Sequence, residues 1–244
     1  MYHLPRLQNV KELWVEKNNL FLPIHDLVSE LAEAVDKDPL ELTATLRVSY
    51  VVSGCDSVSY PFGRGKKRAA NVALQRVGTM PQLTDFSHTD SCVDIKVFDE
   101  ARDYFCQLYG RPGYSSLDRL RAHLFASSKR DLRSLPPTED AFHYHVLRSL
   151  CQINLYKQAN LCNPTLLPLV EYGRHFDNTG RLIPVMKHKD SKPASAKLAF
   201  CKCKKACLQN CPRAKAGPAC IIACSCNGDR AKCGRLAEDS EDED

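Results

Sequence analysis

Apolar positions along the first two thirds of the chain recur at spacings that separate strands from helices. Leu13, Trp14 and Val15 precede Lys17-Asn18-Asn19, and Leu20-Phe21-Leu22 come next, which predicts a short hairpin within residues 11–26 opening into a helix. Pro23 suits the helix start, and Ile24, Leu27, Val28, Leu31 and Val35 then share one face. A second helix is predicted from Asp38-Pro39 through Leu42, Leu46 and Tyr50 to Val52, stopped by Gly54 as a C-terminal cap. A third runs from Lys66 to about Leu74, and residues 75–96, with Gly78 and Pro81, are predicted as loop with a short helix. Helical spacing resumes at Phe98, Ala101, Phe105 and Leu108 and ends at Gly110. Arg111-Pro112-Gly113 turns the chain, and Ser116 caps a helix carrying Leu117, Leu120, His123 and Leu124.

Residues 127–137 are a basic linker. Thr138 then caps a long helix with Glu139 and Asp140 in its first turn and Phe142, Val146, Leu150 and Ile153 as its stripe, continuing to Tyr156. His123 is a helix-face residue, and His143 and His145, two apart, fall on different faces, which argues against a shared metal. Beyond that helix Pro164, Pro168 and Gly173 break the chain, and residues 171–185 read as extended with a turn at Asn178-Thr179-Gly180. The predicted class is α/β, predominantly helical. A polar spacer over residues 187–197 leads to a region with no hydrophobic periodicity.

There cysteine takes over. Eight of the 13 cysteines lie within residues 200–235: Cys201, Cys203, Cys207, Cys211, Cys220, Cys224, Cys226 and Cys233. Two C-x-C pairs, each tied to a further cysteine three or four residues away, bring many sulfurs together without a hydrophobic core. That economy belongs to a zinc–thiolate site, where the metal supplies folding energy that so short a stretch lacks. Disulfides and a metal-free tail are the alternatives. No basic region followed by an apolar run opens the chain, so no secretory signal is visible. The other five cysteines (Cys55, Cys92, Cys106, Cys151 and Cys162) are scattered as reduced thiols would be, and the expected compartment is nuclear or cytoplasmic. No apolar run is long enough for a membrane span.

Charge changes the picture further. The net charge of +5 averages a C-terminal tail with six acids over residues 238–244 against a remainder of +11. The tail at 236–244 has the composition of a disordered segment. Within residues 201–235 eight Lys or Arg residues (Lys202, Lys204, Lys205, Arg213, Lys215, Arg230, Lys232 and Arg235) face one acid, Asp229. Eight thiolates holding two zinc ions carry −4, and holding three carry −2, so a cationic surplus remains for an anionic partner.

This cysteine spacing resembles a single tesmin-like CXC domain, a repeat in which nine cysteines hold three zinc ions. Where that family has a second central C-x-C, this chain has Cys211-Pro212-Arg213, with Arg213 in the ninth position. The family's DNA-reading proteins use two repeats and a tyrosine before the central pair, whereas this chain has one repeat and Asn210. The resemblance therefore implies metal binding by two or three zinc ions, but not sequence-specific reading of DNA. His188 is a substitute ligand in reach of the pattern, although a lone upstream histidine is more often a surface residue.

A second stretch carries chemistry. In SGCDSVSYPFGRGKKRA a helix ends, Asp56 sits in the turn, and Gly63-Arg64-Gly65-Lys66-Lys67-Arg68 leads into the next helix. Glycines permit a tight turn with outward N–H groups, and the cations supply charge, a combination that suits a phosphate. As bare pattern it is also typical of an ordinary exposed loop. The segment resembles the GCD…G-x-G-x-K stretch of PIN-like, flap-endonuclease-type nucleases. By that resemblance Asp56 is a metal carboxylate served by magnesium or manganese, and Gly63, Gly65, Lys66 and Lys67 clamp a duplex strand. The whole layout resembles proteins encoded with animal mobile elements, in which a PIN-like domain precedes a helical segment and one CXC module.

Two-metal hydrolysis needs several converging carboxylates. The acids before Asp56 follow no buried strand in a D-x-D arrangement, so the chain is expected to be a catalytically incomplete remnant, needing carboxylates from a missing N-terminal half or another chain to act as a nuclease. The expected organisation is a PIN-like remnant at 1–126, a linker and long helix at 127–196, a CXC zinc module at 197–235, and the tail. The expected function is zinc-dependent, non-catalytic nucleic-acid binding through backbone contacts. A metal-dependent nuclease and a zinc-stapled protein-interaction adaptor are the alternatives.

Overall fold

The computed structural model describes residues 9–86, 93–127, 131–187, 201–203, 211, 213, 220, 224–226, 229 and 233. The expectations for Cys92, Cys207, His188, the spacer before the cysteines and the acidic tail lie outside these residues. Two compact units are present, residues 1–113 with 139–188, and residues 114–138 with 189–244.

The first unit begins with β1 (Trp14–Lys17) and β2 (Leu20–Pro23), an antiparallel hairpin in the register Trp14 to Pro23 and Lys17 to Leu20. Its two-residue loop has Asn18 and Asn19 at φ 53° and 61°, the left-handed pair that matches strand twist and that asparagine tolerates. Helix α1 (Ile24–Ala34) comes directly after and buries Ile24, Val28 and Ala32. Leu27, expected on that face, is exposed.

Helix α2 (Pro39–Val52) is the centre of the unit. Asp38 caps it, its carboxylate accepting from the N–H groups of Leu40 (2.8 Å) and Glu41 (3.1 Å), with Pro39 in the first turn. It packs against α1, α3 (Lys66–Leu74), α4 (Pro81–Thr84) and α7 (Glu139–Lys157). Being surrounded, it buries Leu42, Thr43, Ala44, Thr45, Arg47, Val48, Ser49, Val51 and Val52. The one-sided stripe expected from Leu42, Leu46 and Tyr50 is not its buried surface, since Leu46 and Tyr50 are only half-buried. Helix α5 (Ile95–Leu108), capped by Asp94, packs against α3, α4 and α7 and buries Phe98, Ala101, Tyr104, Phe105 and Leu108. Where α2, α3 and α5 meet, the Tyr104 hydroxyl lies 2.7 Å from Ser49 Oγ, and Ser49 Oγ donates to the Ala69 carbonyl at 3.1 Å.

Helix α7 buries Phe142, Val146, Leu150 and Ile153 as expected, together with His145 and Arg148. Arg148 donates to the carbonyls of Gly173 (3.2 Å) and Val185 (2.5 Å), the two ends of a hairpin made by β3 (Arg174–Phe176) and β4 (Leu182–Pro184). Asp177 accepts from Thr179 and Arg181 N–H groups within its turn.

In the second unit α6 (Leu117–Ser127) buries Leu117, Leu120 and Leu124, and Arg121 donates to the Pro136 carbonyl at 2.5 Å. His123 packs its ring 5.8 Å from that of Tyr114, a face position and not a ligand one. Among the described residues, strands form only these two separate two-stranded sheets, so the chain is a predominantly helical α/β protein. No described helix is long and apolar enough to cross a membrane.

Candidate metal centre and basic loop

Six cysteines of the C-terminal stretch form one buried cluster: Cys201, Cys211, Cys220, Cys224, Cys226 and Cys233, with Cys203 packed against it. Two triads stand out. The sulfurs of Cys201, Cys220 and Cys226 lie within 4.8 Å of one another, and so do those of Cys201, Cys203 and Cys211. Sulfurs around a tetrahedral zinc at about 2.3 Å stand roughly 3.8 Å apart, a spacing that both triads can supply. Cys224 and Cys233, buried in the same cluster, are further thiols available to a fourth position.

Backbone hydrogen bonds hold the cluster in place of apolar packing. The Cys201 N–H donates to Cys224 Sγ at 3.4 Å, and Ser225 donates its N–H (3.1 Å) and its hydroxyl (3.3 Å) to the Cys201 carbonyl. The Asp229 N–H donates to the Cys226 carbonyl and the Cys233 N–H to the Asp229 carbonyl, each at 2.9 Å. An N–H aimed at a thiolate stabilises its negative form and orients it for a metal. Arg213 is 5% exposed in this unit, a buried guanidinium in a region whose other buried described side chains are cysteines. The donor set, soft and buried, fits zinc.

The first unit carries the other predicted residues. At the C-terminal end of α2, Gly54 takes φ +96°, and Cys55 and Val58 form an isolated antiparallel bridge with Asp56 and Ser57 in its turn. Asp56 is exposed, and among the described residues no metal-sized group of three His, Cys, Asp or Glu ligands includes it. Gly63 has φ +71°, and Gly65 is the N-cap of α3 with no side-chain cap bond. Of the four cations, three have partners. Arg64 lies 4.7 Å from the Tyr109 ring centre. Lys66 Nζ donates to Ser53 Oγ at 3.1 Å and to the carbonyls of Tyr50 and Gly54, closing the end of α2, and sits 4.1 Å from the Tyr50 ring centre. Burial pulls the Lys66 ammonium below the usual lysine range, while Cys55 and Asp56 oppose that shift. Arg68 Nε donates to the Leu108 carbonyl at 2.6 Å, closing the end of α5. Lys67 is exposed.

Residues distant in sequence support this turn, and no spacing pattern marks them. Ser57 Oγ donates to Gln152 at 2.5 Å, and Arg174 donates to the Ser57 carbonyl at 3.3 Å. His145 Nε2 lies 2.8 Å from the Val52 carbonyl, and its Nδ1 lies 3.1 Å from Ser59 Oγ. A carbonyl only accepts, so the neutral ring carries its proton on Nε2, and Nδ1 accepts from Ser59. Burial, with the nearby Arg148 charge adding to it and the Val52 bond opposing, lowers His145 to about 4.

No protein-family model matches the chain, and no curated protein or solved structure matches it either.

Proposed function

We propose that this chain is a zinc-binding protein of mobile-element origin that binds nucleic acid through its backbone without cleaving it, on a CXC-like module and a remnant of a PIN-like domain. The observation that carries the reading is the pair of thiol triads joined at Cys201, buried except for the half-buried Cys203. It supports two or three zinc ions on Cys201, Cys203, Cys207, Cys211, Cys220, Cys224, Cys226 and Cys233. The module's eight cations in sequence outnumber its one acid, and the segment Gly63 to Arg68 contains four cations and no acid. Two basic stretches of this kind suit phosphate, whether of DNA or RNA. Purified protein is expected to contain zinc by elemental analysis and to bind an oligonucleotide with affinity that falls steeply as salt rises and varies little with sequence. Absence of salt-sensitive binding to DNA and RNA at low ionic strength defeats the reading.

Cleavage is disfavoured by the exposed placement of Asp56, with no ligand triad around it among the described residues. Incubation with Mg²⁺ or Mn²⁺ is expected to leave DNA and RNA intact; cleavage abolished by Asp56→Asn reverses this. One observation favours a protein partner in addition. The β1–β2 hairpin exposes Trp14, Val15, Leu20 and Phe21, with Leu20 and Phe21 each at 66%. Exposed apolar side chains on both faces of a two-stranded edge are a surface for another chain, and a zinc-stapled adaptor would use it.

A further inference from the structure

The geometry of the loop before α3 points to an unpaired nucleic-acid strand as the occupant of this basic surface, with a base stacked on Tyr60. This rests on the nucleic-acid reading above and narrows it to single strands. Tyr60 is 74% exposed and Phe62, two residues on, is 45% exposed, while Arg64, Lys66, Lys67 and Arg68 come within eight positions. An exposed aromatic ring followed within eight positions by four cations, with Asp56 four positions before it, suits a strand with free bases, since every base has a face to stack and every link a phosphate.

The ring is exposed, but its backbone is held. A Cβ built at Gly54 would fall 2.3 Å from Tyr60 Cβ and 2.5 Å from Tyr60 Cα, so the loop is seated directly on the end of α2. Ser59, its neighbour, donates to the buried His145, and Cys55 and Val58 exchange backbone bonds of 3.0 and 3.1 Å. Pro61 restricts the backbone of Tyr60, the residue before it. The tyrosine is thus presented on a fixed support with its ring outward. With the backbone held, only the ring's own rotation is lost when a base lands on it.

Gly65 adds an independent sign. Its φ of −73° and ψ of 167° are open to any residue, and a Cβ there would meet nothing within 4 Å. Neither conformation nor packing in the folded chain calls for glycine at this position. A missing side chain there leaves the backbone open to close approach by an arriving group, and a phosphate of the same strand is the fitting one.

The test is fluorescence anisotropy of the full chain with a labelled oligothymidylate of about 15 nucleotides and with a duplex of the same length. Wild type is expected to bind the single strand more tightly. Tyr60→Ala is expected to lose about tenfold on the single strand and nothing on the duplex, the order of one lost stack, while Tyr60→Phe keeps the affinity. Since the ring is exposed, circular dichroism of Tyr60→Ala is expected to match wild type. Equal single-strand affinity in wild type and Tyr60→Ala, or an equal loss on both ligands, overturns the inference. If Tyr60→Ala is silent while salt and Lys67→Ala still weaken binding, the stacking inference alone is lost. If wild type binds neither ligand in a salt-sensitive way, the parent reading falls, and this one with it.

Discussion

At Gly54 two demands meet. The backbone occupies φ +96°, which side-chain-bearing residues rarely adopt, and the space a Cβ would need is taken by Tyr60. Gly54→Ala is therefore expected to cost about 2–4 kcal/mol by urea unfolding, more than strain alone imposes, because the loop must lift as well. The helix-stopping role of this glycine is legible in sequence from the apolar run it ends. Its second role is not, since Tyr60 is brought over it only by the bridge at Cys55 and Val58. His145 gives the matching case for pH. The unfolded chain takes up a proton on this residue below about pH 6.5, whereas the folded ring resists until about 4. Its contribution is thus complete above pH 6.5 and declines as pH falls toward 4, by about 3 kcal/mol. Unfolding midpoints across that range are expected to show this fall and to show less of it in His145→Gln. The two-apart spacing of His143 and His145 does predict different faces, and the structure stacks His143 on Phe98 at 4.7 Å while burying His145.

Among the elements, legibility tracks how one-sided each burial is. Helices α1 and α5 have a wet face and a dry one, so periodicity finds them, whereas the hairpin, exposed on both faces, is marked by its Asn18-Asn19 turn. Helix α2 escapes that logic. Its neighbours α1, α3, α4 and α7 cover it on several sides, so threonine, serine and even Arg47 at 1% exposure are buried, and the i, i+4 stripe carries no information about direction. Hydrogen bonds to the Pro39 and Ala69 carbonyls let Thr43 and Ser49 stay in the interior. Tyr104 belongs to the same network, and burial raises its phenol to about 12, keeping it neutral. Tyr104→Phe is expected to lower stability by about 1 kcal/mol, since the hydroxyl's contacts with Ser49 and the Ala69 carbonyl are lost while Ser49 retains that carbonyl. The role of α7 is likewise hidden from spacing. The stripe predicts a helix there but not that Arg148 reaches back to pin the β3–β4 hairpin.

For the molecule as a whole, the sequence pattern shows that sulfur replaces apolar packing beyond residue 200, because eight cysteines in so short a span have few other uses. It does not show which sulfurs meet. The chain's two C-x-C pairs look equivalent in spacing, yet among the described residues only Cys201 belongs to both triads. Removing zinc with a chelator is expected to unfold the cysteine unit and leave the far-ultraviolet helical signal of residues 9–113 and 139–187 largely intact. Cys201→Ser is expected to lose more zinc per chain than Cys203→Ser, by elemental analysis of purified protein, because one substitution weakens two positions. On the zinc-binding reading proposed above, the shared sulfur also couples the two ions. A first ion that draws Cys201 into place has already ordered part of the second ion's shell, so the second enters with less disorder left to remove. Occupancy then rises as a step instead of a slope, and half-filled molecules are scarce at any zinc level. A protein built this way responds to metal scarcity as a threshold, holding its full complement or none.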